Sequence, residues 1–135
     1  MAMTKQAIMD KVALHLITQG EASMSYGGGS CLYRGQDGKT CAIGCLIEDA
    51  AYSGEMEGDT PTHGNLVRYA LVMSGVIDET TDAAMLDYLE ELQVAHDQCR
   101  HYKGDEWARV VSKELIQLCH QHTLSVPLCI AEHYE

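Results

Sequence analysis

Phenylalanine is missing from this 135-residue chain and tryptophan occurs once, so the aromatic bulk that usually dominates a protein core is nearly absent. Leucine, isoleucine, valine, alanine, seven methionines and seven tyrosines must supply the buried area instead, and such packing is adaptable but less directional. Basic residues are scarce too: 9 Lys and Arg stand against 20 Asp and Glu, a formal net charge of −11. That balance argues against gripping a phosphate backbone, while it favours solubility and speeds encounter with a basic partner, including a protein whose own ligand is nucleic acid. No basic stretch followed by an apolar one opens the sequence, and no apolar run approaches the about 18 residues a membrane span needs. The expectation is a cytosolic protein with no membrane contact.

What is present is ordinary in bulk. Hydrophobic residues make up 46% and charged residues 21%, and residues 1–135 suit one domain able to bury a core without staples. Thiols stay reduced in the cytosol, so the six cysteines read as core residues, metal ligands or a nucleophile before they read as disulfides.

Apolar periodicity predicts a helix over 4–19, with Thr4 as cap and Gly20 as stop, and a loop over 21–30 around Gly27, Gly28 and Gly29. Residues 31–34 and 39–43 flank Gly35-Gln36-Asp37-Gly38, the composition of a β-hairpin turn, and the tail 125–130 could add a third strand with Pro127 at its edge. Residues 44–51 predict a short helix, 52–64 an acidic loop, and 62–74 a helix entered through Pro61 whose apolar set is Leu66, Val67, Tyr69, Ala70 and Met73. A long helix from Thr81 to about His101 carries a seam of Met85, Leu89, Leu92, His96 and Cys99. A last one, capped by Asp105, runs to Gln121 with Trp107, Val110, Val111, Leu115, Leu118 and Cys119 inward. The fold class expected is mainly α (α+β): a four- to five-helix bundle with a small β-hairpin.

Three kinds of chemistry compete for the polar residues. Cys41 follows Lys39 at the expected entry into a short helix, where a nearby ammonium and the helix N-terminus would lower a thiol pKa, and His96 is its natural base. Asp97 completes a Cys-His-Asp set on paper, but adjacent helix residues diverge by about 100°, which predicts that Asp97 does not orient the ring. The bland alternative makes Cys41 a small buried hydrophobe and His96 a core histidine bonded to a backbone oxygen. Cys31, Cys41 and Cys45 offer three thiolates for zinc, with a fourth ligand from Cys99, Cys119, His63 or His96, although one close pair without a matching pair is not the spacing of a zinc ribbon. Glu55, Glu57 and Asp59 alternate as calcium ligands would but lack the closing glutamate, and a solvated acidic contact surface fits them better. The triple glycine lacks the Lys-Ser/Thr of a phosphate loop, so no nucleotide cofactor is expected.

The run Cys31-x-Tyr33-Arg34-Gly35, Gly38, Cys41-Ala42-Ile43-Gly44-x-Leu46-Ile47, followed by Tyr52, Met56-Glu57-Gly58, Leu92-Gln93-x-x-His96-Asp97 and Trp107, resembles a group of small uncharacterised proteins encoded by tailed bacteriophages, prophages and some bacteria. The likeness spans roughly residues 5–122. It departs at Glu48-Asp49-Ala50, where a Pro-Asp-Glu-like turn belongs, and after Leu124. The resemblance carries no activity with it. It implies that Tyr33 and Arg34 alternate, one packing inward and one reaching an acid such as Glu57 or Asp97, that Gly35 and Gly38 supply turn dihedrals, and that His96 sits under the hairpin.

Three functions follow as expectations. The first is a non-catalytic phage accessory protein that binds a host or phage protein through an acidic surface around Tyr33, Arg34, Glu55, Glu57 and Asp59, for instance to inhibit a host defence or nucleic-acid enzyme. The others are a thiol-dependent hydrolase or transferase using Cys41 and His96, and a zinc-stabilised interaction module.

Overall fold

Thr4 Oγ1 accepts a hydrogen bond from the Ala7 amide at 3.1 Å and Gly20 takes the left-handed conformation at φ 82°, which sets the ends of helix α1 at Lys5–Gln19. The computed structural model describes residues 2–131. Four more helices follow: α2 (Asn65–Met73), α3 (Ala83–Gln98), α4 (Gly104–Gln121) and the single turn α5 (Leu128–Ala131). The described residues form a mainly helical bundle in which α4 packs against both α1 and α3, and α1 also meets residues 44–46 and α5. No helix among them is long and apolar enough to cross a membrane.

The core works around its shortage of aromatic rings. Trp107 and Tyr88 are its two fully buried rings, and each directs its polar atom to a helix carbonyl: Trp107 Nε1 donates to Leu16 O at 2.7 Å and Tyr88 Oη to Lys5 O at 2.8 Å. Around them lie Ile8, Met9, Val12 and Leu16 of α1, Leu89 and Leu92 of α3, and Val111 and Leu115 of α4, all fully buried. Four of the five residues of the predicted α3 seam, Leu89, Leu92, His96 and Cys99, are buried, while Met85 at its start is half-buried. Its cap is Asp82, whose carboxylate takes the Met85 amide at 3.0 Å, whereas Thr81 turns back to accept the Asp78 amide. In α4 Asp105 lies in the first turn, behind the Lys103 cap.

Four expectations fail in instructive ways. Helix α2 buries Val67, Ala70 and Leu71 and leaves Leu66, Tyr69 and Met73 exposed, because only one side of it meets the 49–56 segment. The tail 125–130 does not form a strand: the Pro127 carbonyl accepts from both Ile130 and Ala131, which closes a helical turn and buries Ile130. The hairpin reduces to one isolated antiparallel bridge, Arg34 with Thr40, and the described residues contain no strand. Its loop is nonetheless the tight turn expected, a 3-10 turn over Gln36–Gly38 with Asp37 at φ 57° and Gly38 at φ 75°. Residues 44–51 likewise make two 3-10 turns, Gly44–Leu46 and Asp49–Ala51, not one helix.

The hairpin does not propagate because side chains occupy the backbone groups a ladder would use. Gln19 pairs both ways with Thr40, accepting its amide at 3.0 Å and donating to its carbonyl at 2.9 Å. Glu57 takes the amides of Tyr33 and Arg34 at 2.8 and 3.1 Å, and Gln93 takes that of Ile43 at 3.1 Å. Every one of these bonds joins the 21–47 segment to a helix or to the 52–64 loop, so the segment is fastened from outside in place of sheet pairing.

Candidate functional site

Helix α3 presents Gln93, His96 and Asp97 toward the 21–47 segment, and together they form a hydrogen-bonded clasp. The Ser23 amide donates to His96 Nε2 at 3.0 Å, so this nitrogen is the acceptor and the neutral ring carries its proton on Nδ1. Nδ1–H donates to Asp97 Oδ1 at 2.8 Å, and the same oxygen accepts from Gln93 Nε2 at 2.8 Å. The expectation that Asp97 could not orient its neighbour's ring is therefore corrected. Nδ1 is the ring nitrogen nearer the backbone, and it reaches the adjacent carboxylate although the two Cα–Cβ bonds diverge. His96 is fully buried, edge-on to Trp107 with ring centroids 5.8 Å apart. It lies beneath the 21–47 segment, and its partner there is a backbone amide, not the backbone oxygen of the bland reading.

The thiol beside this pair is Cys31. Ligand atoms of Cys31, His96 and Asp97 lie within 4.8 Å of one another, and among the described residues this is the one trio of potential metal ligands so close. Cys41 and Cys45 stand outside it, which corrects the three-cysteine zinc set. The trio itself fits a hydrogen-bond chain better than an ion, because a metal on Nδ1 would demand that both ring nitrogens be deprotonated while Ser23 N–H still points at Nε2. Burial, then the charge of Asp97 and a hydrogen bond to it, push the Cys31 thiol up to about 12.

Cys41 is corrected as a nucleophile by the same physics. It is fully buried, and desolvation drives its thiol upward although the Gly44 amide donates to Sγ at 3.3 Å. Burial outweighs every other influence on it, and the main opposing ones are the Gly44 and Ile43 amides, not the Lys39 ammonium that was expected. Cys45 donates to Ala42 O at 3.1 Å and is raised to about 12 by burial, partly offset by Lys11.

The motif residues around Tyr33 form a second fastening. Tyr33 packs inward and its hydroxyl donates to Asp59 O, while Arg34 turns out to Asp49 Oδ1 at 2.5 Å and Ile47 O at 2.8 Å and stacks on Tyr52 at 4.9 Å. The alternation is as expected, but the acid Arg34 reaches is Asp49, from the departing Glu48-Asp49-Ala50 turn. Glu57 binds the two backbone amides and also accepts from Tyr52 Oη at 2.6 Å. Glu55 stays exposed, so the three alternating acids of this loop point to different tasks. Gly44 is needed for contact, not dihedral freedom: a Cβ there would lie 2.2 Å from the Tyr33 carbonyl oxygen. Gly35 is similar, since a Cβ would meet Ser23 Oγ at 2.4 Å, and its φ of −95° corrects the expectation of a special turn dihedral.

Two adjoining hollows flank the outer side of α3. The larger, about 470 Å³, lies between α3 and α4 and carries Asp87, Glu90, Glu91 and Glu114 over a floor of Val94, Ala95 and Leu118. The smaller, about 230 Å³, lies between α3 and the 57–61 loop and carries Glu57, Asp59, Glu90 and Asp97, with Cys31 and Tyr33 in its wall. Glu90 and Val94 belong to both, and neither has a Lys or Arg in its lining. Sequence reasoning missed the carboxylates of α3 and α4. Their signal was available, because Asp87, Glu91, Val94 and Gln98 recur at steps of four, three and four along one face. No family model, no curated protein and no solved structure matches this chain.

Proposed function

We propose that this chain is a non-catalytic binding protein that captures a basic region of another protein through the acidic outer side of α3. The observation that carries the reading is the pair of adjoining hollows, seven different carboxylates between them with Glu90 shared and no cationic lining residue. Such a surface raises the local concentration of a cationic partner and rejects phosphate backbones. The candidate chemical residues support the same reading, since His96, Asp97 and Gln93 are committed to fastening the 21–47 segment and both thiols nearest them are held protonated. The resemblance to phage and prophage proteins makes a host or phage protein the natural partner. Occlusion of the basic nucleic-acid surface of a host enzyme is the most concrete form of that capture.

The test is retention of host proteins by the immobilised full chain at low and high salt, compared with an Asp87→Asn/Glu114→Gln variant of unchanged circular dichroism. Retention at low salt that fails at high salt and in the variant is the expected result. A variant that retains the same proteins as the parent would overturn the reading.

A further inference from the structure

Building on the proposed capture of a basic protein, we infer that the α3–α4 groove receives one amphipathic, lysine- or arginine-flanked α-helix of the partner, with one basic side chain entering the smaller hollow. Its shape favours a helical guest. Asp87, Glu91, Val94 and Gln98 line up along α3, while Glu114, Gln117, Leu118 and Gln121 line up along α4 at steps of three, one and three. These two rows bound a furrow of the kind into which a third helix packs. From Asp87 to Gln98 the furrow runs about 16 Å at 1.5 Å per residue, three turns of a guest helix. A peptide that binds by adding a strand would instead need a free strand edge, and the described residues contain no strand.

The chemistry of the lining specifies the guest's faces. Val94, 45% exposed on an otherwise polar surface, forms with Ala95 and Leu118 a narrow apolar floor suited to a stripe of small or aliphatic side chains. Carboxylates stand on both walls. Glu91 already accepts from Gln121 Nε2 at 2.8 Å and meets His122 Nε2 at 2.9 Å, and Glu90 is held by Thr62, while Asp87 and Glu114 complete the negative rim. A shared divalent ion is a poor alternative occupant, because among the described residues the one trio of ligand atoms within 4.8 Å is Cys31, His96 and Asp97. The smaller hollow, about 230 Å³, adjoins the groove at Glu90 and Val94 and has room for an ammonium or guanidinium head, with Glu57, Asp59 and Asp97 around it.

The experiment uses the full chain and three fluorescent synthetic peptides: a basic helix with lysines flanking a leucine-alanine stripe, the same composition with a central proline, and the same helix with glutamate for lysine. Anisotropy titrations at low and moderate salt should show the first binding, the second about tenfold weaker because its helix is not pre-organised, and the third not at all. Val94→Ser should weaken the first peptide without altering the salt slope, and Glu114→Gln should reduce the slope. Equal, salt-dependent binding of the helical and proline peptides overturns the helix-in-groove inference and leaves the basic-partner reading standing. Affinity unmoved by Val94→Ser also overturns it. Binding of neither basic peptide at low salt overturns it as well, and the salt-dependent retention of whole host proteins then decides the broader reading separately.

Discussion

Truncating His96 to alanine is the sharpest test of the clasp. The Ser23 amide would lose its acceptor inside the protein, a cost of about 1–3 kcal/mol for an orphaned buried donor. An imidazole-sized void against Trp107 adds about 1–2 kcal/mol at about 24 cal/mol per Å³. Loss of the Nδ1–H bond to Asp97, a carboxylate 38% exposed, adds about 0.5–1 kcal/mol at most, since water can replace it. The sum is about 2.5–6 kcal/mol, a large part of the about 5–15 kcal/mol that holds a domain together. His96→Leu fills the void yet leaves the amide orphaned and the Asp97 bond lost, so it should cost about 1.5–4 kcal/mol, and the difference between the two variants isolates the cavity. Urea unfolding followed by Trp107 fluorescence measures both, with equal m-values as the condition for comparing midpoints. Alanine and leucine variants within about 0.5 kcal/mol of the parent would refute the clasp, because surface-like tolerance has that size.

Three further outcomes are expected. Gly44→Ala should destabilise by about 1–3 kcal/mol, since its Cβ would press on the Tyr33 carbonyl, whereas Gly54→Ala, with open space around its Cβ, should be near neutral in the same melts. Iodoacetamide labelling of Cys31 should keep accelerating by about tenfold per pH unit up to about pH 10, with no plateau near the ordinary thiol value, and Cys41 should label only on unfolding. Hydrogen bonds from Thr62 hold the Glu90 carboxyl below its usual range, so that contribution to stability is present above the unfolded value of about 4.3 and is lost as pH falls through the folded one. Thr62→Val should raise the Glu90 pKa in a carboxyl-resolved NMR titration and flatten the acid limb of stability, and an unmoved Glu90 would contradict the assignment.

How far the chain could be read depended on the sequence distance over which each feature is decided. The Thr4 cap, the Gly20 stop and the α3 seam are set within a turn or two of helix, and they stand where the sequence placed them. The hairpin had equally clear local signals, yet its strands do not form, because the partners of Tyr33, Thr40 and Ile43 come from Glu57, Gln19 and Gln93. Those residues are many positions away, and no period or turn composition encodes them. The pairing of Cys41 with His96 and Asp97 failed for the same reason, since the thiol that clusters with them is Cys31. Lys39 and the 44–46 turn are local cues that favoured Cys41, whereas nearness to His96 and Asp97 depends on how the 21–47 segment lies across α3.

That arrangement sets α3 between the clasp and the smaller acidic hollow, and Asp97 belongs to both. Its Oδ1 accepts from His96 and Gln93 inside the clasp, while its carboxylate also lines the smaller hollow. Asp97→Asn separates the two roles, because an amide oxygen can still accept both hydrogen bonds but carries no charge. The variant should keep the His96 tautomer and most of the stability, lower the Cys31 thiol by removing a neighbouring negative charge, and weaken a basic guest whose cation enters that hollow. If the protein instead unfolds with the charge, Asp97 is holding an ion pair with His96 and the neutral ring inferred from the Ser23 amide is wrong; if guest binding is unchanged, the cation does not enter beside Asp97.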